Sequence, residues 1–401
     1  MKKLESFLKS NKNSLPLFLG TLLVYALSGN GKGAYYNYYV LLSQAFLRGD
    51  LYVSQHPAWL NELVLFGGHY FVVYPPMPAI LLMPFVFIFG SSFSQPLLSA
   101  ILGALSVTAS YFVIKKLFKR KTAFFMTALY AFGTMEWFHA SVGSAWYIGQ
   151  IAGMLFIWLS LLELLTKKRL FFVGFFIGLA YTSRLPTILA LVFVLLYSFE
   201  DFIILNKNRI RLNLKNCFLF GLGFLPALLF EAIYNFLRFG VFYDAGYFLL
   251  YRAAEFNEPW YKFGYFSIRY IPVHLNEIFT ALPKFIPTPP YVIPSIFVMA
   301  LWFVTPAFLI IPFADYKKRL AVTSLVTVLI MSLPGLLHGG NDFTQFGYRN
   351  SLDYLPFMLF LVASAFEKEK LQKIGIVLIL LSIIVNLWGV VMINFLNIWV
   401  I

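Results

Sequence analysis

The apolar run PLLSAILGALSVTASYFVI occupies residues 96–114 and is followed by a basic cluster: Lys115, Lys116, Lys119, Arg120 and Lys121. An uncharged run of this length can cross most of the hydrocarbon core of a bilayer, which is ~30 Å thick, as an α-helix. A basic cluster at one end is typical of a cytoplasmic boundary. The pattern therefore predicts a membrane-spanning helix whose C-terminal end faces the cytoplasm.

The same pattern recurs along the chain and predicts an all-α polytopic membrane protein. Of the 401 residues, 60% are hydrophobic and only 12% are charged, a composition that excludes a soluble globular enzyme. We expect about eleven transmembrane helices in a single transmembrane domain, residues 1–401. The predicted spans are 14–29, 96–114, 122–141, 147–166, 170–183, 185–199, 217–237, 290–313, 320–337, 352–366 and 374–397.

The distribution of basic residues orients these spans. With the N-terminus in the cytoplasm, 22 of the 31 Lys and Arg residues fall in cytoplasmic segments, although the outer segments are longer. The basic N-terminal segment with residues 14–29 also has features of a signal peptide, but we expect a retained first span. We expect the protein in the plasma membrane, surrounded by lipid. The net charge of +14 is spread between apolar runs and does not favour nucleic-acid binding.

A long outer loop, residues 30–95, follows the first span. Its first part, from Tyr35 to Leu47, has apolar residues at helical spacing and predicts an interfacial helix. Residues 63–73 (LVLFGGHYFVV) predict a β-hairpin about Gly67 and Gly68. The segment 75–90 is broken by prolines, and counting it as a span would place the Lys115 cluster outside, so we expect an interfacial helix there as well.

Two further outer loops, residues 238–289 and 338–353, make the outer face the expected place for chemistry. Nine of the 17 acidic residues fall on outer segments or at the outer ends of spans: Asp50, Glu62, Glu136, Asp244, Glu255, Glu258, Glu277, Asp342 and Asp353. Glu231 lies inside a predicted span, where an ionisable group is costly and usually faces a cavity or a partner.

Several short segments resemble the C-type (GT-C) glycosyltransferases, which include the protein O-mannosyltransferases and the aminoarabinose transferases. They are LSQAFLRGDLY at 42–52, YPPMPA at 74–79, TSRLP at 182–186, YNFLRFG at 234–240 and FGYRNSLD at 346–353. The resemblance implies transfer of a sugar from a polyprenyl-phosphate-linked donor to a glycan, lipid or protein acceptor on the non-cytoplasmic side.

Such a reaction needs a carboxylate to accept the proton of the acceptor hydroxyl and fixed positive charge for the leaving phosphate. Relatives usually carry an acidic residue soon after the first span, whereas this chain has Asn37 at about that position. We therefore predict Glu136, then Asp50, as the catalytic base, with Glu62 a further alternative. The predicted substrate-binding residues are Arg349, Arg184, Arg238, Asp353, Tyr348, Asn37 and Asp244.

Each of these residues also has a purely structural explanation. Arg349 and Asp353 are spaced i, i+4 and could simply form an ion pair on one helix face. Arg184 could extend to the membrane interface, and Asp50 could be a turn residue. The five histidines, His56, His69, His139, His274 and His338, lack the spacing of metal ligands, so we expect no cofactor while leaving a divalent metal open.

Two other functional classes remain open from the sequence. A secondary transporter or lipid flippase also needs many spans, although no internal repeat is evident. A non-catalytic membrane subunit would explain the missing acidic residue near Asn37.

Overall fold

The computed structural model describes residues 14–29, 35–54, 56–57, 59–206, 209–253, 261–340 and 345–400. Some residues to which the sequence assigned a side of the membrane lie outside the described residues: the segment 1–13, Lys32, Lys207, Glu255, Glu258 and Asp342.

Helices account for most of the described chain. Their bounds are α1 Ser14–Ser28, α2 Tyr38–Arg48, α3 Met77–Phe89, α4 Gln95–Leu117, α5 Arg120–Phe132, α6 Glu136–Val142, α7 Ala145–Leu165, α8 Leu170–Ser183, α9 Leu191–Tyr197, α10 Phe199–Phe202, α11 Leu214–Phe239, α12 Gly246–Ala253, α13 Ile271–Thr280, α14 Leu301–Val304, α15 Arg319–Leu337, α16 Leu355–Phe366 and α17 Glu369–Val390. Short 3-10 helices cover Leu185–Ala190, Pro306–Phe313 and Arg349–Tyr354, and a π-helical turn, Val391–Phe395, extends α17.

Among the described residues, five helices are long and apolar enough to cross a bilayer: α4, α7, α11, α15 and α17 with its π-helical extension. This confirms an integral membrane protein but not the count of eleven spans. The predicted span 122–141 consists of α5 and α6, separated around Gly133. The predicted span 290–313 contains four prolines and is broken into a strand, the short α14 and a 3-10 helix, because proline removes a backbone donor and clashes with the preceding turn.

The β-hairpin predicted after the first span is present. Strand β1, Leu63–Phe66, pairs antiparallel with β2, His69–Val72, and Phe66 is opposite His69. Both turn glycines have positive φ, 56° at Gly67 and 82° at Gly68, as the tight turn of a two-residue hairpin requires. The helices predicted near residues 35–47 and 75–90 are α2 and α3. Two further strand pairs, β3 Ile203–Asn206 with β4 Arg209–Leu212 and β5 Lys284–Phe285 with β6 Val292–Ile293, were not predicted.

Segments predicted to be cytoplasmic contact one another in the structure. Lys119 lies 3.6 Å from Glu367, Lys168 lies 3.0 Å from Asp201, and Arg319 forms an ion pair of 3.0 Å with Glu200. We call this part of the molecule the charged end. These contacts agree with the prediction, made from the basic residues, that these loops lie on the same side of the membrane.

Helices α8 and α11 pack closely because glycines face each other. A Cβ atom at Gly174 would collide with the carbonyl oxygen of Phe220, and one at Gly223 would collide with that of Phe171. Small residues allow helix backbones to approach in a membrane, where packing rather than the hydrophobic effect drives association. This contact fixes α8 against α11; Arg184 follows the last residue of α8, and Arg238 lies in the last turn of α11.

Candidate functional site

Arg184 and Asp353 form an ion pair although 169 positions separate them in the chain. The Arg184 Nε–H group lies 3.2 Å from each carboxylate oxygen, and Arg184 Nη2 donates to Asn350 Oδ1 at 2.9 Å. Gln150 on α7 donates from Nε2 to Asp353 Oδ1 at 3.2 Å and to the Arg349 carbonyl oxygen at 3.0 Å. Two other segments of the chain, α7 and the residue that follows α8, therefore hold one buried carboxylate.

Local backbone structure presents both members of this pair. Helix α8 ends at Ser183, and Arg184 has extended dihedral angles (φ −157°, ψ 115°) just before the 3-10 helix that contains Pro186. Asp353 lies in the 3-10 helix Arg349–Tyr354, not in an α-helix. The i, i+4 face proposed for Arg349 and Asp353 is therefore absent, and Asp353 pairs with Arg184 instead.

The half-buried Tyr247 on α12 interacts electrostatically with charged residues from several parts of the chain. Burial raises the pKa of its hydroxyl; the charges of Asp244 and Glu62 raise it further, whereas those of Arg184 and Arg349 oppose them. Four charged side chains from four parts of the chain thus act on one hydroxyl. Together with Asp353, which interacts with both arginines, we call these residues the charge group: Glu62, Arg184, Asp244, Arg349 and Asp353.

Glu62 precedes the hairpin and is fixed by aromatic residues. The Trp146 indole N–H donates to Glu62 Oε2 at 2.7 Å, and the Glu62 backbone N–H donates to the Tyr38 hydroxyl at 3.1 Å. The rings of Trp146 and Tyr36 pack with centroids 4.5 Å apart. Glu62 is therefore positioned by α2 and α7 together.

Asp244 lies in the turn between α11 and α12. Its Oδ1 accepts the backbone N–H of Gly246 at 3.1 Å. Burial raises the pKa of the Asp244 carboxyl above its ordinary value, while the Arg238 guanidinium and the Gly246 N–H act in the opposite direction. A carboxylate with a raised pKa is a better proton acceptor than an ordinary surface aspartate.

Arg238 binds the hairpin and packs between aromatic rings. Its Nη1 donates to the Val72 carbonyl oxygen and its Nη2 to Asn235 Oδ1, at 2.8 and 2.9 Å. The guanidinium carbon lies 3.8 Å from the centre of the Tyr234 ring. With only 5% of its surface exposed, Arg238 joins the end of α11 to β2, so its contacts in the structure are structural rather than those expected of a phosphate ligand.

Glu136, the favoured base, is fully buried at the start of α6. Neither carboxylate oxygen meets hydrogen-bond geometry with any described residue. The groups that interact with its charge are Tyr130 and Tyr25 in the helix bundle, and neither belongs to the charge group. The described contacts of Glu136 therefore lie within the helix bundle and do not include Arg184 or Arg349.

The remaining predicted residues occupy other places. Asp50 forms an exposed ion pair of 3.2 Å with Arg48 in the turn after α2. The Asn37 carbonyl accepts the backbone N–H groups of Val40 and Leu41 at the start of α2. Tyr348 is buried with its hydroxyl 3.4 Å from His274 Nδ1. None of these contacts involves a member of the charge group.

The histidines pack mainly against aromatic rings. His56 stacks on Tyr70 and His69 on Tyr52, with centroids 4.0 and 3.9 Å apart. Within the described ranges, no three His, Cys, Asp or Glu side chains are grouped so that they could hold a metal ion.

Three residues around the charge group were not among the sequence candidates: Tyr247, Gln150 and Trp146. Gln150 could have been found, since it is a polar residue inside the apolar run 147–166. Tyr247 and Trp146 carry no such signal, because Tyr and Trp are common at membrane boundaries.

Comparison with known proteins agrees with this architecture. Residues 73–234 match the family model described as dolichyl-phosphate-mannose-protein mannosyltransferase. The solved structure of the Archaeoglobus fulgidus oligosaccharyltransferase in its apo form is similar, with a TM-score of 0.51 and 14% sequence identity; the match covers 95% of this chain and 55% of that chain. The chain thus spans about half the length of that enzyme. No curated protein sequence matches. The resemblance predicted from the sequence is therefore confirmed: the chain has the GT-C fold, and its residues 73–234 match a GT-C mannosyltransferase family.

Proposed function

We propose that this chain transfers a sugar from a polyprenyl-phosphate-linked donor to an acceptor hydroxyl on the non-cytoplasmic side of the membrane. The family match and the fold support glycosyl transfer of the GT-C class. The observation that carries the proposal is the buried Arg184–Asp353 ion pair, held by Asn350 and Gln150. The charges of Arg349, Asp244 and Glu62 act on the same region through Tyr247, and this reaction needs both positive charge and a carboxylate in one place.

The arginines supply the site for the donor phosphate. Guanidinium groups bind phosphate oxygens in a planar fork and stay charged when desolvated. Asp353 and Asn350 hold the Arg184 side chain in one orientation, and the charge of Arg349 acts on the same region. The charge group as a whole has three carboxylates and two arginines, so the positive charge for the leaving phosphate is local to Arg184 and Arg349, which share the single carboxylate of Asp353.

Asp244 is the carboxylate that best suits the role of base. It lies in the outer segment, next to Tyr247, and burial raises its pKa. In the proposed step the acceptor oxygen bonds to the anomeric carbon while the bond from that carbon to the phosphate oxygen breaks. The acceptor proton passes to Asp244, and the electron pair of the broken bond stays on the polyprenyl phosphate. Glu62 is the second choice, whereas Glu136 and Asp50 would need a rearrangement to take part.

The test is an assay of the purified protein in lipid nanodiscs with dolichyl-phosphate-linked sugars and a membrane extract as the source of acceptors. We expect release of dolichyl phosphate together with a labelled acceptor. Arg184→Gln and Asp244→Asn should each lower the rate by about 10²–10³, the usual effect of removing one charge-stabilising or proton-transfer group.

Arg319→Gln is the control, since it removes an arginine from an exposed ion pair at the charged end. Its rate should equal that of the unmodified protein. No turnover with any sugar, or equal activity in the Arg184 and Arg319 variants, would contradict the proposal. In sealed proteoliposomes, movement of the sugar-lipid across the bilayer without transfer would favour a flippase instead.

A further inference from the structure

The inward face of α11 becomes polar near its C-terminal end. Most of the helix exposes large apolar side chains such as Leu229, Ile233 and Leu237, as expected of a helix facing lipid. Its buried face in the last turns consists of Glu231, Tyr234, Asn235 and Arg238, each at most 5% exposed. An ionisable residue buried in a membrane helix usually marks a functional position.

Several polar atoms on and near this face have no hydrogen-bond partner among the described residues. They are Glu231 Oε1, Tyr234 Oη, Arg238 Nε and Tyr74 Oη. Buried polar atoms are nearly always satisfied, and each exception needs an explanation. Four exceptions in one neighbourhood, including a carboxylate, indicate that this face is built for hydrogen-bonding groups that come from outside the chain.

Tyr39 on α2 connects this face to the charge group. The charge of Glu231 and the hydroxyl of Tyr234 act on the Tyr39 hydroxyl, and so do Arg184 and Tyr247. The Tyr74 ring packs against both Tyr39 and Tyr247, with centroids 5.9 and 6.2 Å apart. The polar face and the charge group are therefore adjacent.

We propose that Glu231, Tyr234 and Tyr74 form a subsite that binds the hydroxyl groups of the donor sugar, next to the arginines that bind its phosphate. The inference rests on the proposed function. A carboxylate can accept hydrogen bonds from neighbouring sugar hydroxyls, and bonds to a charged acceptor are roughly twice as strong as neutral ones. Tyrosine hydroxyls both donate and accept and so suit the same ligand.

The experiment compares binding of bare dolichyl phosphate with binding of dolichyl phosphate carrying mannose, glucose or N-acetylglucosamine. The proteins are the unmodified chain, Glu231→Gln, Tyr234→Phe and the control Glu200→Gln, an exposed carboxylate at the charged end. We expect the unmodified chain and the control to prefer at least one sugar-bearing lipid. Glu231→Gln should lower that preference about tenfold or more and leave the affinity for bare dolichyl phosphate unchanged; Tyr234→Phe should lower it less.

The outcomes separate this inference from the function it rests on. Binding of bare dolichyl phosphate with no preference for any sugar, or a preference unchanged in Glu231→Gln, overturns the sugar subsite alone. Failure to bind either lipid overturns the proposed function as well. Thermal unfolding gives a second criterion, because Glu231 Oε1 has no hydrogen-bond partner among the described residues and glutamine keeps the side-chain volume, so the replacement should change the Tm of the free protein little. A large fall in the Tm of Glu231→Gln would mean that the carboxylate has a structural role and would overturn the subsite.

Discussion

Removing Arg184 should destabilise the protein more than removing the charge of its partner, Asp353. The Asp353 side chain is only 4% exposed, whereas that of Arg184 is 22% exposed. Arg184→Gln leaves a buried carboxylate with Gln150 as its remaining hydrogen-bond donor, and breaking a buried pair in this way costs about 3 kcal/mol. Asp353→Asn leaves the better solvated guanidinium, which keeps Asn350, and should cost about 1 kcal/mol.

The double variant tests whether the two side chains act as a pair. When both charges are removed, no buried carboxylate is left without its ion-pair partner. We therefore expect the free energy of unfolding to fall by about 2 kcal/mol, which is less than the sum of the two single losses. The coupling energy is then about 2 kcal/mol. The free energies of unfolding are measured by SDS titration in mixed micelles for the unmodified protein, both single variants and the double variant.

Two results would refute this reasoning. Single losses that add to within about 0.5 kcal/mol in the double variant would mean that the residues do not interact. A larger loss from Asp353→Asn than from Arg184→Gln would mean that burial of the carboxylate is not the dominant effect.

Three other outcomes are expected. Gly223→Val should lower the unfolding free energy by about 2 kcal/mol or more, because its Cβ would meet the Phe171 backbone; Gly221→Val, at a position with open space, should change it little. Gly68→Val places a β-branched residue at φ 82°, so limited proteolysis should cut the hairpin faster than in the unmodified protein. If Asp244 is the base, activity is lost as the pH falls through the raised pKa of its carboxyl group. The Arg238 charge lowers this pKa, so in Arg238→Gln the acidic limb of the pH–rate profile should move to higher pH.

Local features of this protein were predictable because they depend on neighbouring residues. The hairpin at 63–72 follows from two glycines between two short apolar strands, and both glycines adopt the positive φ that their position requires. The basic residues after residue 114 end a long apolar helix as expected. The spans were less predictable where prolines interrupt them, since hydropathy averages over residues 290–313 and ignores the missing backbone donors.

The candidate site was predictable only in part. Arg184, Arg349, Asp353 and Asp244 were identified by their residue types near predicted span ends. The structure pairs Arg184 with Asp353, and the charges of Arg184, Arg349 and Asp244 act on Tyr247. Glu136 and Asp50 have equally suitable side chains, but one is enclosed in the helix bundle and the other pairs with Arg48. Residue type alone cannot distinguish these cases.

Hydropathy and turn chemistry thus established a helical membrane protein with a hairpin near its first span, because each depends on a window of a few residues. The partner of Asp353, the contact of Arg238 with Val72 and the polar face of α11 required the folded chain. These features join segments more than 150 positions apart, or depend on which side of a helix meets a neighbour. Long-range packing, including the close approach of α8 and α11 at their glycines, decides which charges meet, and no local pattern in the sequence encodes that choice.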